Sequence, residues 1–126
     1  MLQQIALVVD DSMLIRHTVC RFLEERGFSV TSATNGAEAM QILATVLPDL
    51  IVTDLMMPKM TGSELITAVK ADARMARIPI VVLAGRSSVR EMQPEGRADY
   101  VIYKDIDIDQ QLTRALDATM GSAAVN

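Results

Sequence analysis

The sequence predicts a doubly wound α/β fold: a five-stranded parallel sheet in the order 2-1-3-4-5, with helices on both faces. Three observations carry this. Strand-like and helix-like stretches alternate along the whole chain. Three of the strand stretches, Ile5–Val9, Leu50–Val52 and Ile78–Ala84, are nearly continuous apolar runs, the pattern of parallel strands covered on both sides. Right-handed crossovers between such units place helices on both faces of the sheet.

The elements follow in order. Strands are expected near 4–9, 28–33, 49–53, 79–84 and 99–103. The first helix, about 13–26, has Ile15, Val19, Phe22 and Leu23 at helical spacing and Gly27 as its stop. The second, about 36–46, opens with Asn35-x-x-Glu38, and the third, about 63–73, with Thr61-x-x-Glu64. Both openings have the form of a capping box, the first with Asn in place of Ser or Thr. Between Ser87 and Glu95 a fourth helix is expected to be short and irregular, since it contains Pro94 and meets Gly96. The last helix, about 107–120, starts among Asp105, Asp107 and Asp109, which complement its dipole.

The 126 residues are one domain's worth, with a core over about 4–120 and a tail over 121–126. Half of the residues are apolar, enough for a single core. The net charge of -4, without a basic cluster, argues against nucleic-acid binding by this segment. No apolar stretch approaches the ~20 residues of a membrane span. Met1-Leu2-Gln3-Gln4 carries no basic leader, so a cytoplasmic location is expected. One cysteine, Cys20, rules out an internal disulfide and reads as a small buried hydrophobe. His17 reads as an exposed helix residue.

The topology has a chemical consequence. In the order 2-1-3-4-5 the switch point falls between strands one and three. Asp10 and Asp11 end the first strand and Asp54 ends the third, so three carboxylates meet at one edge of the sheet. Like charges repel by roughly 4 kcal/mol per pair at 4 Å in a partly screened site. A divalent cation relieves this. Oxygen-only ligands favour Mg2+, which typically takes one or two carboxylates together with a phosphate.

Asp10-Asp11 after a first strand, Asp54-Leu-Met-Met-Pro-Lys-Met-Thr-Gly62 after a third and Lys104 after a fifth together resemble the receiver domain of bacterial two-component response regulators. The resemblance covers residues 4–120 and implies a flavodoxin-like, chemotaxis-regulator-like fold. It implies that Asp54 accepts a phosphoryl group from a sensor histidine kinase or a phosphotransfer protein. It implies that Asp10, Asp11, Asp54 and the Met56 backbone carbonyl hold Mg2+, and that Lys104 contacts a phosphoryl oxygen. The domain would then be no enzyme in the ordinary sense, but a phosphoacceptor assisting its own phosphotransfer. Its output partner or output domain is not specified. Ala98–Ile106 aligns with the family's Ala-Asp-x-Tyr-Leu-Val-Lys-Pro-Phe without a gap. A one-residue slip would put Tyr103 at the lysine position, and the need for a cation selects Lys104.

The chain departs from that family at three points. Ala84 stands where a Thr or Ser is usual, Val101 where an aromatic switch residue is usual, and Asp105 where a Pro usually follows the lysine, so a cis peptide is not expected there. These departures favour an alternative: a pseudo-receiver, an interaction module that switches weakly or not at all. Ser87 or Ser88 could replace the missing hydroxyl, though both read more simply as solvated turn residues. Met13, Leu14 and Met56 form a candidate apolar docking patch for the kinase. A phosphohydrolase of the haloacid dehalogenase type is disfavoured, because it wants Asp-x-Asp where Asp10 and Asp11 are adjacent. Asp105-Ile-Asp-Ile-Asp109 mimics a calcium loop but lacks its Gly and Glu.

Overall fold

The computed structural model describes residues 3–55, 57, 60–85, 98–104 and 107–120. Five strands, β1 (Ile5–Val9), β2 (Ser29–Ala33), β3 (Leu50–Asp54), β4 (Ile80–Ala84) and β5 (Tyr100–Tyr103), form one sheet in the order β2-β1-β3-β4-β5. Every pairing is parallel. The described helices are α1 (Met13–Glu25), α2 (Gly36–Leu43), α3 (Gly62–Ala71) and α4 (Ile108–Met120). The expected fourth helix over 87–95 lies outside the described residues, as do Ser87, Ser88 and Asp105.

The continuous apolar strands have the predicted cause. Every residue of β3 and β4 is buried. One core lies between the sheet and α2 and α3, built from Leu7, Val9, Ile51, Ile80 and Val82 against Leu43, Leu65, Ile66 and Val69. The other lies under α1 and α4, with Val8, Val52, Leu83 and Ile102 against Val19, Phe22, Leu23 and Leu112. Val101 packs on the first core and Tyr100 on the second, as strand alternation requires. Cys20 is only partly buried, at the edge of the second core. No described helix is long and apolar enough to cross a membrane.

The helix ends show why these segments start and stop. Ser12 caps α1 by accepting from the Ile15 N–H. At the other end Gly27, at φ 90°, donates to Glu24 while Phe28 donates to Leu23, the paired bonds of a Schellman motif. At α3 the capping box is complete, with Thr61 Oγ1 accepting from Glu64 N–H and Glu64 returning to Thr61 N–H. At α2 it is displaced. Asn35 accepts from the Glu38 N–H, but Glu38 reaches back to the N–H of Thr34 rather than of Asn35. The strands also begin one residue later than the apolar pattern suggests. Asp49 is not in β3: its carboxylate accepts from Ile5 N–H at 2.8 Å and so caps the start of β1.

Candidate functional site

The carboxyl ends of β1, β3 and β5 carry the site. Asp10 follows β1 directly, held by its own N–H on Ala33 C=O at 3.1 Å and by its Oδ1 accepting from Ser12 N–H at 2.8 Å. Asp54 is the last residue of β3. Lys104 follows β5, its N–H donating to Ala84 C=O at 3.0 Å. Its ammonium Nζ lies 2.9 Å from Asp54 Oδ2 and 3.2 Å from Asp10 Oδ2. Carboxylate oxygens of Asp10, Asp11 and Asp54 all lie within 4.8 Å of one another. Tyr103, the alternative lysine position, is tied through its backbone to α4.

The two adjacent acids are not equivalent. Asp10 has no solvent exposure, whereas Asp11 is exposed. The Oδ2 of Asp10 has Lys104 as an ionic neighbour, yet makes no aligned hydrogen bond among the described residues. A buried carboxylate oxygen without such a bond is costly, and it faces two further carboxylates. The donor set is all oxygen, with one open exposed acid, which suits a hard cation such as Mg2+.

Burial pushes the Asp10 carboxyl above its usual value, and the charge of Asp54 adds to that; the Ser12 N–H and Lys104 oppose it without cancelling it. Lys104 shows the opposite balance. Burial pulls its ammonium down, but its hydrogen bond to Asp54 and the charges of Asp10 and Asp54 together outweigh this and hold it above its ordinary value. For a carboxyl whose folded value is raised, stability is fully present below the unfolded value of 3.8 and is lost as pH rises through the folded one. Ionised Asp10 is therefore a cost to the metal-free fold at neutral pH. Asp10→Asn is expected to raise the melting temperature of the metal-free protein at pH 7, by roughly 3–5 °C for each kcal/mol recovered, and to weaken Mg2+ binding. Melting scans with and without Mg2+ check both halves.

Two contacts hold the backbone around the site. Arg16 of α1 donates from Nη1 to the Asp10 C=O at 2.8 Å, fixing the backbone beneath the acid pair. On a helix pattern Arg16 reads as one more solvated charge. Gly62 donates to Leu55 C=O at 2.8 Å and packs its α-carbon on the backbone of Asp54 and Leu55, so close that a Cβ would overlap the Asp54 carbonyl oxygen. Of the other candidate residues, Met56 lies outside the described residues. Ala84 is fully buried at the end of β4 and places no hydroxyl near Asp54. Met13 and Leu14 are 75% and 73% exposed at the start of α1.

A parallel sheet of this order with carboxylates and a lysine gathered at its switch point defines a class of signalling domain. The family profile of the response regulator receiver domain matches residues 6–117, and the chain belongs to that family, the receivers of two-component systems. It is 34% identical over 110 residues to the response regulator MprA of Mycobacterium sp. (strain KMS), an alignment covering 86% of this chain and 47% of that protein. The chain thus spans about half the length of that relative. Among solved structures it resembles the chemotaxis response regulator CheY4 of Vibrio cholerae, with 29% identity and a TM-score of 0.83 over 94% of this chain and 99% of that one. It also shares its fold with the receiver domain of the sensor histidine kinase PA1611 of Pseudomonas aeruginosa PAO1, with 23% identity and a TM-score of 0.85 over 96% of this chain and 100% of that one. That structure has a magnesium ion coordinated in its active-site cleft.

Proposed function

We propose that this receiver accepts a phosphoryl group on Asp54 from a sensor histidine kinase or a phosphotransfer protein in the cytoplasm, and signals through phosphorylation-dependent binding of a partner. The observation that carries this is the Lys104 ammonium 2.9 Å from Asp54 Oδ2, beside two further carboxylates. A carboxylate oxygen of Asp54 attacks phosphorus as the bond to the donor breaks, and the donor keeps the electron pair. Asp10, Asp11 and Asp54, with the Met56 carbonyl, would hold Mg2+, which supplies charge neutralisation at the phosphoryl oxygens. Lys104 is a compact cation for another of those oxygens. Asp10 and Asp54 keep it protonated well into the alkaline range.

The test is incubation with Mg2+ and a small acyl phosphate, followed by intact mass measurement. One added phosphoryl group, lost in base, is the expected result; no uptake, or uptake without Mg2+, overturns the reading. Asp11→Asn is expected to weaken Mg2+ binding, read by calorimetry, and an unchanged affinity would remove Asp11 from the ligand set.

A second reading, the weakly switching pseudo-receiver, is favoured by two residues. Ala84 cannot hydrogen-bond a phosphoryl oxygen, and Val101 cannot serve as an aromatic toggle. A ligand shifts a conformational equilibrium only by its differential interaction with the two states. Ala84→Thr is therefore expected to enlarge the phosphorylation-dependent change in amide exchange over residues 85–104. An equally large change in the parent protein would mean that it switches without a hydroxyl at position 84.

A further inference from the structure

β5 is an edge strand, and its last residue is closed off by one side chain of α4. Gln111 Oε1 accepts from Tyr103 N–H at 2.9 Å, and Gln111 Nε2 donates to Tyr103 C=O at 2.8 Å. This is the pairing a neighbouring strand would make with that peptide. The same Nε2 also donates to Asp107 C=O at 3.3 Å. The amide thus has both hydrogens and its oxygen engaged, and its partners lie on both sides of Lys104 in sequence. On the inner side Lys104 N–H is held by Ala84 C=O. The ammonium that reaches Asp54 and Asp10 is therefore carried on a backbone gripped from two directions, by β4 and by Gln111.

We propose that Gln111 is a positioning residue: it fixes the backbone that aims Lys104 at Asp54. The Gln111 side chain bonds the backbone of Tyr103 and Asp107, and acts through Lys104. Lys104 is the long, flexible member of the site, and its aim depends on where its backbone is anchored. Leucine in place of Gln111 frees the Tyr103 peptide to bond water, so Lys104 is no longer pinned on its outer side, while Asp107 C=O keeps its bond from the backbone N–H of residue 111.

This inference rests on Asp54 being the phosphoacceptor with Lys104 as its partner. The experiment measures the rate of phosphoryl uptake from a small acyl phosphate with saturating Mg2+ by intact mass, since the chain has no tryptophan to report it. Gln111→Leu and Gln111→Glu are each combined with Lys104→Met. Gln111→Glu keeps an acceptor for Tyr103 N–H but loses both donations, and it serves if the Leu variant does not fold. Each single Gln111 variant is expected to slow uptake about tenfold, part of the roughly hundredfold that a 1 Å misplacement costs. In the Lys104→Met background the same change is expected to have less than about a twofold effect, since coupled residues are non-additive. Leu116→Val, a core truncation on the same helix, controls for simple destabilisation and is expected to keep the parent rate. Parent-like rates in the Gln111 variants, an equal loss with and without Lys104, or an equal loss in Leu116→Val would each overturn the proposal. If the parent protein itself takes up no phosphoryl group, the assignment of Asp54 fails first and the role of Gln111 falls with it.

Discussion

Asp54→Asn is expected to take up no phosphoryl group at all from an acyl phosphate, whatever the Mg2+ concentration. The substitution keeps the shape of the side chain at the end of β3 and removes its charge. An amide oxygen is a poor nucleophile, and among the described residues the neighbouring acids are placed differently: Asp10 is fully buried and held by Ser12, while Asp11 is at the exposed rim. The change also acts on Lys104. The hydrogen bond to Asp54 is the strongest influence raising the Lys104 ammonium, with the charge of Asp54 contributing further, so the variant's lysine moves down toward its ordinary value. One variant therefore has two readouts, loss of the added mass and a lower Lys104 titration by NMR. A base-stable phosphate in the variant, or one mapped to a serine, would remove Asp54 from its role.

The second large effect is expected from Gly62→Ala. A methyl group there would overlap the carbonyl oxygen of Asp54, sit 2.8 Å from the Leu55 Cα and 3.1 Å from the Asp54 carbonyl carbon. All three are backbone atoms, so no side-chain rotation relieves the clash. The first turn of α3 must move off the end of β3, and the bond from Gly62 N–H to Leu55 C=O must stretch or break. Overpacking of this kind costs about 2–4 kcal/mol, a large part of the ~5–15 kcal/mol that holds a domain folded. Because the displaced backbone carries Asp54, phosphoryl uptake is expected to fall by roughly 10- to 100-fold in the fraction that remains folded. Denaturant midpoints and uptake rates measured on the same preparation check both. A parent-like midpoint would show that the loop yields more easily than its packing implies.

Much of the fold was legible because the sheet is covered on both sides. Ile51, Val52, Val81 and Val82 are buried whichever way they point, so their strands read as unbroken apolar runs. The site was legible for a related reason, since acids that end adjacent parallel strands have nowhere else to go. What could not be read was long-range and polar. The pair Asp10-Asp11 gives no sign of which acid is buried, because the distinction comes from Ser12 N–H and Lys104, the latter 94 residues beyond Asp10. Asp49 looks like a strand residue until its carboxylate is seen on Ile5 N–H. Gln111 and Arg16 stand on helices among other polar residues off the apolar stripe, and their partners are backbone atoms, which leave no mark in a pattern of side chains. Helix ends were misjudged where the chain leaves the helix by turns rather than by a glycine. α2 stops at Leu43, yet Thr45 and Val46 still donate to Ile42 C=O.

The lysine that balances the site comes last. During synthesis, at about 5–20 residues per second, β1 and β3 emerge with Asp10, Asp11 and Asp54, the last of them 50 residues before Lys104. Any early pairing of β1 with β3 therefore gathers three negative charges before the ammonium that faces them exists, Arg16 being engaged on the Asp10 carbonyl. That repulsion works against closing the switch point until β4 and β5 have added, one strand at a time, the edge that carries the ammonium. Every pairing in the sheet is parallel and joins distant segments, which already makes folding slow. The charge distribution adds a direction to it, which would place the acidic site among the last parts of the molecule to assemble, and a nascent chain stalled before residue 104 presents its acids without the lysine.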